Sequence, residues 1–553
     1  MLLIGLDIGT TGCKACVFDE SGRLRGQALR ECAVISTRPA MAEQDAEAVW
    51  LAVKDVLRES AAQSGRADEI AGLSISSQGD AIIPIDRSYN ALHPAILGMD
   101  YRCEAQALEL SEKFGSRALF NRTGMRPHPM NSAVKMLWLG RYQPGVFNAA
   151  WKITTYADFI AGKLCGEAMI DYTMASRTMC FDTGEKKWAA DILDALGMDE
   201  SKLSAPAASG RIIATIRGDV AGQTGLPAAV KVVTGGHDQC CSALGAGVIG
   251  NNRAVLSCGT AEVLSTAFSS ADFADALYEN YYPCYLSAVE GLSFTFSLLH
   301  VGGIILQWYR DNIATAEVLE AAKNGTSPYT EIDKAMPDGI SPVMILPHFN
   351  GSGTPYCDMK SKGAILGLSL STTRHDIARA ILESLAFEQR INLDKMEEGG
   401  VVVDELAAVG GGARSPRGLQ LRADILGRPL MTLAVREAAC LAAALLAGTA
   451  LGVYSTIREA VQTTVRPDKM YSPDPVKEKA YEERFAIYST LYKALKPVAE
   501  RLCDTQIETG SDEPMYLPII TGLYPAQQRS PVKTKTINDL KPTGFQFKRR
   551  SHD

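Results

Sequence analysis

The sequence predicts an α/β chain built from two similar domains. Three stretches carry that prediction. The first is Ile4-Gly5-Leu6-Asp7-Ile8-Gly9-Thr10-Thr11-Gly12-Cys13-Lys14, followed by Ala-Cys-Val-Phe-Asp. Its apolar residues alternate on either side of a Gly/Thr turn, which is the pattern of a β-hairpin. The second, Ala254-Val255-Leu256-Ser257-Cys258-Gly259-Thr260-Ala261-Glu262-Val263-Leu264, repeats strand, turn and strand far downstream. The third is the strand-like run Val230–Thr234, followed by Gly235-Gly236-His237-Asp238-Gln239-Cys240-Cys241. There a strand hands over to a helix of small residues, with one acid, Asp238, at the mouth of the turn.

The remaining elements follow in chain order. Strands are expected at 2–7, 13–19 and 26–34. Ala46–Gln63 has helical apolar spacing and leads into a strand at Ile70–Ser76. Met130–Leu139 and Trp151–Leu164 read as helices. After the second hairpin, at 253–267, come helices at Gly302–Ile313 and His375–Lys395, a strand at Glu405–Val409 and a helix at Ser415–Leu426. The run Ala438–Val453 is apolar but too short to span a bilayer comfortably, so it reads as a buried helix. Lys477–Cys503 is expected to be one closing helix. Two domains are expected at residues 1–246 and 247–503. Residues 504–553 form an extension; Ser511–Asp553 is rich in Pro, Gly, Lys and Thr, a composition that favours little fixed structure.

Composition narrows the class. At 553 residues the chain exceeds what one core holds. Its 46% hydrophobic and 22% charged residues are ordinary for a globular enzyme. A net charge of −7 disfavours nucleic-acid and anionic-membrane partners. The thirteen cysteines show no secretory start and no paired CxxC, which points to reduced thiols in a cytoplasmic protein without zinc.

The chemistry rests on the turns. Asp238 can accept a proton from a hydroxyl held within about 3 Å, and the Gly-Gly pair before it allows backbone to approach a ligand closely. Backbone N–H groups and Thr hydroxyls of the hairpins can hold phosphate oxygens. Asp7 suits Mg²⁺, which takes one or two carboxylates and keeps several waters. Blander readings stand beside these. Asp7 could cap a turn, and Asp238 could be the N-cap of a helix starting at Gln239. Glu262 and Glu437 read as structural, and the cysteines as small apolar fillers.

With these stretches the chain resembles the FGGY family of carbohydrate kinases, from Met1 to about Cys503. Three more stretches fit: Met130-Asn-Ser-Ala-Val-Lys135-Met-Leu-Trp138-Leu; Gly363–Glu383; and Val409-Gly410-Gly411-Gly412-Ala413-Arg414-Ser415, which the resemblance makes the adenosine loop. The family implies two actin-like (ribonuclease H-like) ATPase domains with a central cleft, ATP and Mg²⁺ as cofactors, and phosphorylation of a small sugar, ketose or polyol. It implies Asp238 as catalytic base and Gln78, Asp80, Asp238 and Gln239 as substrate contacts. It further implies nucleotide contacts from Gly9, Thr10, Thr11, Lys14, Gly259, Thr260, Gly411, Gly412, Ala413 and Ser415, and metal contacts from Asp7 and Asp238. His237 stands where the family usually has glycine, and reads as structural. Gly79 and Met130 replace the arginine and tyrosine of glycerol-specific relatives. The Met-His of many xylulose-specific relatives is also absent from 79–80. Gln78-Gly79-Asp80 resembles erythritol-type polyol kinases; xylulokinase is the alternative. Asp100 and Arg102 read as bracing the pocket wall. A homodimer is the assembly expected. An actin-like ATPase, or a sugar-sensing regulator without turnover, is the competing class.

Overall fold

The computed structural model describes residues 1–269 and 275–508. Two mixed sheets share one strand plan. In the first, Leu2–Ile8 pairs antiparallel with Gly12–Asp19, which pairs antiparallel with Leu24–Glu31. On its other side Leu2–Ile8 runs parallel to Ile70–Ser77, and that strand runs parallel to Lys231–His237. The second sheet repeats the plan. Asn252–Cys258 is antiparallel to Glu262–Phe268, which is antiparallel to Ser293–Leu299, while Val403–Val409 and Leu430–Leu433 follow in parallel on the other side.

Local chemistry explains where most elements begin and end. Ala46–Gln63 starts at Asp45, whose carboxylate accepts from the N–H groups of Glu47 and Ala48. Its buried face, including Val49, Val53, Val56 and Leu57, covers the strands Gly12–Asp19 and Leu24–Glu31. Arg374–Glu398 starts with a capping box between Thr373 and Asp376.

Several expectations are corrected. Trp151–Leu164 is not one helix: Lys152–Thr154 is a strand paired with Ile83–Ile85, and the helix is Tyr156–Cys165. The start signal was Thr155, whose capping box with Asp158 marks the boundary. The closing segment is two helices, Pro475–Tyr488 and Leu491–Glu508. The second runs five residues into the expected extension; the rest of 504–553 lies outside the described residues. Gly235 and Gly236 belong to the strand Lys231–His237, not to a loop. A Cβ on Gly235 would meet the Ile75 carbonyl oxygen at 1.8 Å, so that glycine serves strand contact.

The apolar run becomes the helix Ala438–Ala450, buried from Ala438 through Gly448 apart from Ala439. It packs on Leu2–Ile8 and Ile70–Ser77 of the first sheet and against helix Asp238–Gly245. The packing is backbone-close. A Cβ on Gly5 would fall 1.7 Å from the Cys440 carbonyl oxygen, and one on Gly245 would fall 1.9 Å from that of Ala438. Thus a segment late in the sequence locks onto the strand that carries Asp7. Among the described residues no helix is long and apolar enough to cross a membrane.

Candidate active site

Three parallel strands of the first sheet end together. Asp7 is in register with Ser76, Ile8 with Ser77, and Ser77 with His237. The strand ends therefore bring Asp7, the Gln78-Gly79-Asp80 turn and Asp238 to one edge, where the chain leaves the sheet and its polar groups are free to face a ligand.

Asp7 is half-buried, and one of its oxygens accepts from Ser76 Oγ at 2.7 Å. Burial raises its pKa, offset in part by Ser76 and by Lys14 on the partner strand. Lys14 Nζ donates to Glu437 Oε2 at 2.5 Å, so the residue expected at phosphate is also tied to the entry of the crossing helix. The first turn is closed by Gly9 N–H donating to the Gly12 carbonyl at 2.9 Å. Thr11 is exposed, whereas the Thr10 hydroxyl donates to Gln78 Oε1 at 3.1 Å. That contact ties the hairpin to the next turn.

Asp238 is the first residue of helix Asp238–Gly245, with His237 at the cap, so the N-cap reading of Asp238 does not hold. About 30% of its side chain is exposed. Burial, and then the charge of Asp7, push its pKa up to about 7. That places it where a carboxyl group can exchange a proton near neutrality. His237 is buried and held neutral by burial and by Arg177. Its Nε2 lies 3.2 Å from Asp238 Oδ1, and its Nδ1 lies 2.8 Å from the Tyr285 hydroxyl. Gln239 is half-buried beside the acid.

Asp80 sits at φ +67°, a left-handed conformation costly for a non-glycine residue and common at functional turns. Two buried donors hold it there. Its carbonyl accepts from Lys135 Nζ at 2.9 Å and from Ser132 Oγ at 3.2 Å. Burial lowers the Lys135 pKa to about 8. The Asp80 carboxylate pairs with Arg177, a residue the sequence reading missed. Asp100 is fully buried, accepts from Ala42 N–H, and pairs with Arg102, which stacks on Trp138.

On the second sheet, the turn at Gly259 and Thr260 is held by the N–H of Gly303 and Gly302, which donate to their carbonyls. The loop after Val403–Val409 folds over it. Gly410 takes φ +88°, and a Cβ there would meet the Cys258 carbonyl oxygen at 2.9 Å. Gly411–Arg414 form a 3₁₀ turn, with Gly411 exposed and Gly412 and Ala413 half-buried. The Ser415 hydroxyl donates to Asp333 at 2.6 Å and accepts from Gly418 N–H, so its side chain orders the loop. Glu262 is structural, paired inside the protein with Arg422.

This arrangement has known counterparts. The chain matches the FGGY family of carbohydrate kinases, its N-terminal domain over residues 2–245 and its C-terminal domain over 254–451. It is 25% identical over 495 residues to a xylulose kinase of Bacillus subtilis, covering 89% of this chain and 97% of that protein. It is 30% identical over 479 residues to a glycerol kinase of a Polaromonas species, covering 83% and 92%. A solved xylulose kinase structure from Brucella ovis superposes with a TM-score of 0.80 at 27% identity, covering 90% of this chain and all of that one. The fold is that of the sugar kinases of the actin-like ATPase class, and the family match and these relatives make the chain an alcohol phosphotransferase. The chain belongs to the FGGY family of carbohydrate kinases and phosphorylates a hydroxyl of a sugar or polyol.

Proposed function

We propose that Asp238 is the general base of this transfer, and that the turn at 78–80, with Gln239, holds the acceptor. One observation carries the reading: Asp7, Gln78–Asp80 and Asp238 come from strands far apart in sequence and meet at one sheet edge. Asp238 is partly exposed and titrates near neutrality, so it can take the proton of an acceptor hydroxyl as that oxygen attacks the terminal phosphorus of ATP. Phosphoryl transfer asks the protein mainly for positioning and electrostatic support. Gly9, Thr10, Thr11, Lys14, Gly259 and Thr260 would face the phosphates, and Gly411, Gly412 and Ala413, backed by Ser415, the adenosine.

Mg²⁺ fits the donor set. The charge of Asp7 raises the pKa of Asp238, and among the described residues no group of three or more His, Cys, Asp or Glu side chains forms a self-sufficient metal cage. Two carboxylates suit an ion that arrives with phosphate oxygens and water. When bound it would neutralise charge on the transferring group. A cytoplasmic homodimer completes this reading.

The test is ADP release with glycerol, erythritol, xylitol, D-xylulose and gluconate as acceptors. At least one should stimulate turnover. Asp80→Ala should raise that acceptor's KM about ten- to a hundredfold and leave the ATP KM in place. ADP release indifferent to every acceptor, or an Asp80→Ala variant with the parent's acceptor KM, would remove the reading.

A further inference from the structure

Gly79 leaves the space of a side chain beside Asp80, and distant parts of the chain fill it. A Cβ at position 79 would lie 2.8 Å from the His237 ring and 3.4 Å from Arg177 Nε. Arg177 ends the helix Tyr172–Arg177 and is 2% exposed. Its guanidinium lies 5.4 Å from the Tyr285 ring centre and 5.6 Å from that of Phe296. Nη2 donates to Asp80 Oδ2 at 2.5 Å, and Nη1 lies 3.6 Å from the Met125 sulfur.

The pairing uses one arm only. A purely structural Arg–Asp pair gains most from the two-pronged geometry that a planar guanidinium and a carboxylate allow. Here Arg177 Nε and Asp80 Oδ1 are both enclosed and have no partner, and so is Gln78 Nε2 on the same turn. A buried donor or acceptor left unpaired is costly, so three together beside the proposed acceptor position point to partners that the acceptor brings. The charge balance narrows its class. Asp80 already neutralises Arg177, and Lys135, the other buried cation here, directs its ammonium to the Asp80 and Met130 carbonyls. A carboxylate would meet Asp80 and Asp238 with both Arg177 and Lys135 already engaged.

We propose that Arg177 is a specificity-determining residue for the acceptor: its Nε–H donates to one acceptor oxygen while Asp80 Oδ1 accepts from the neighbouring hydroxyl. The pair then reads two adjacent oxygens of a neutral polyol or ketose. The proposal rests on the acceptor site assigned to the 78–80 turn.

The probes are erythritol and D-xylulose, each with its monodeoxy analogues, and gluconate, measured by ADP release on the full chain. Arg177→Lys keeps the charge and withdraws the planar fork. Its acceptor KM should rise at least about tenfold, with the ATP KM unchanged, and the parent's preference for the hydroxylated acceptor over its deoxy analogue should collapse toward one. The Asp80→Asn/Arg177→Gln double variant replaces both members of the pair with amides, so neither charge is left without the other, which keeps the test open if the lysine variant does not fold. It should discriminate less than Asp80→Asn alone. Parent-like KM and preference in Arg177→Lys, or equal preference in the double and single variants, would overturn the assignment of Arg177 alone. Gluconate surpassing both neutral probes in the parent would overturn the substrate class. No stimulation of the parent by any probe would instead defeat the acceptor site itself.

Discussion

Replacing Asp238 with asparagine should make the protein more stable while disabling it, and the size follows from the site. The ordinary value for such a carboxyl is 3.8, and here it is pushed up to about 7 by burial and by Asp7. A raised acid pKa means the folded chain keeps a proton that the unfolded chain gives up. Folding is therefore penalised progressively as pH rises from about 4 to about 7, and the full cost persists above that. The gap is worth about 4 kcal/mol at roughly 1.4 kcal/mol per tenfold. With 30% of the side chain exposed, solvent screening trims this to about 2 kcal/mol. The amide of the variant carries no charge to bury. Thermal melts without ATP or Mg²⁺ should show Asp238→Asn with a Tm a few degrees above the parent at pH 8, the gain shrinking toward pH 5. A variant equal to or less stable than the parent at pH 8 would refute the reasoning.

Two further outcomes follow. Asp7→Ala should raise the Mg²⁺ concentration for half-maximal turnover and weaken ATP use more than acceptor use; overlapping Mg²⁺ curves for variant and parent would leave Asp7 a structural role. Gly5→Ala should lower the Tm markedly or prevent accumulation, because its Cβ would lie 1.7 Å from the Cys440 carbonyl oxygen and must push the crossing helix off the sheet; a Tm within about one degree of the parent would show that the junction yields.

What the sequence made legible was local. The hairpins at 4–19 and 253–267 announce themselves because a Gly/Thr turn between alternating apolar residues has few other solutions. Ala46–Gln63 is readable from its period, and the structure adds the Asp45 cap that starts it. The capping box at Thr155 and Asp158 was equally local, but the apolar residues on both sides of it masked the boundary. The break between Tyr488 and Leu491 carries neither glycine nor proline, so nothing in composition separates the two closing helices. Arg177 was not legible at all. Its partner lies 97 residues earlier, and an arginine in Ala-Ser-Arg-Thr looks like any helix-end cation until the fold encloses it. The destination of Ala438–Ala450 was hidden for the same reason: apolarity says that a helix is buried, and only topology says against which sheet.

The central claim is that Asp238 takes the acceptor's proton, and the most direct measurement is kcat for Asp238→Asn with the best acceptor, beside the ATP Kd of the same preparation. The amide keeps the shape and cannot accept the proton. The account predicts a kcat lower by a factor of about a hundred or more with the ATP Kd unchanged. A kcat within a few-fold of the parent would contradict it.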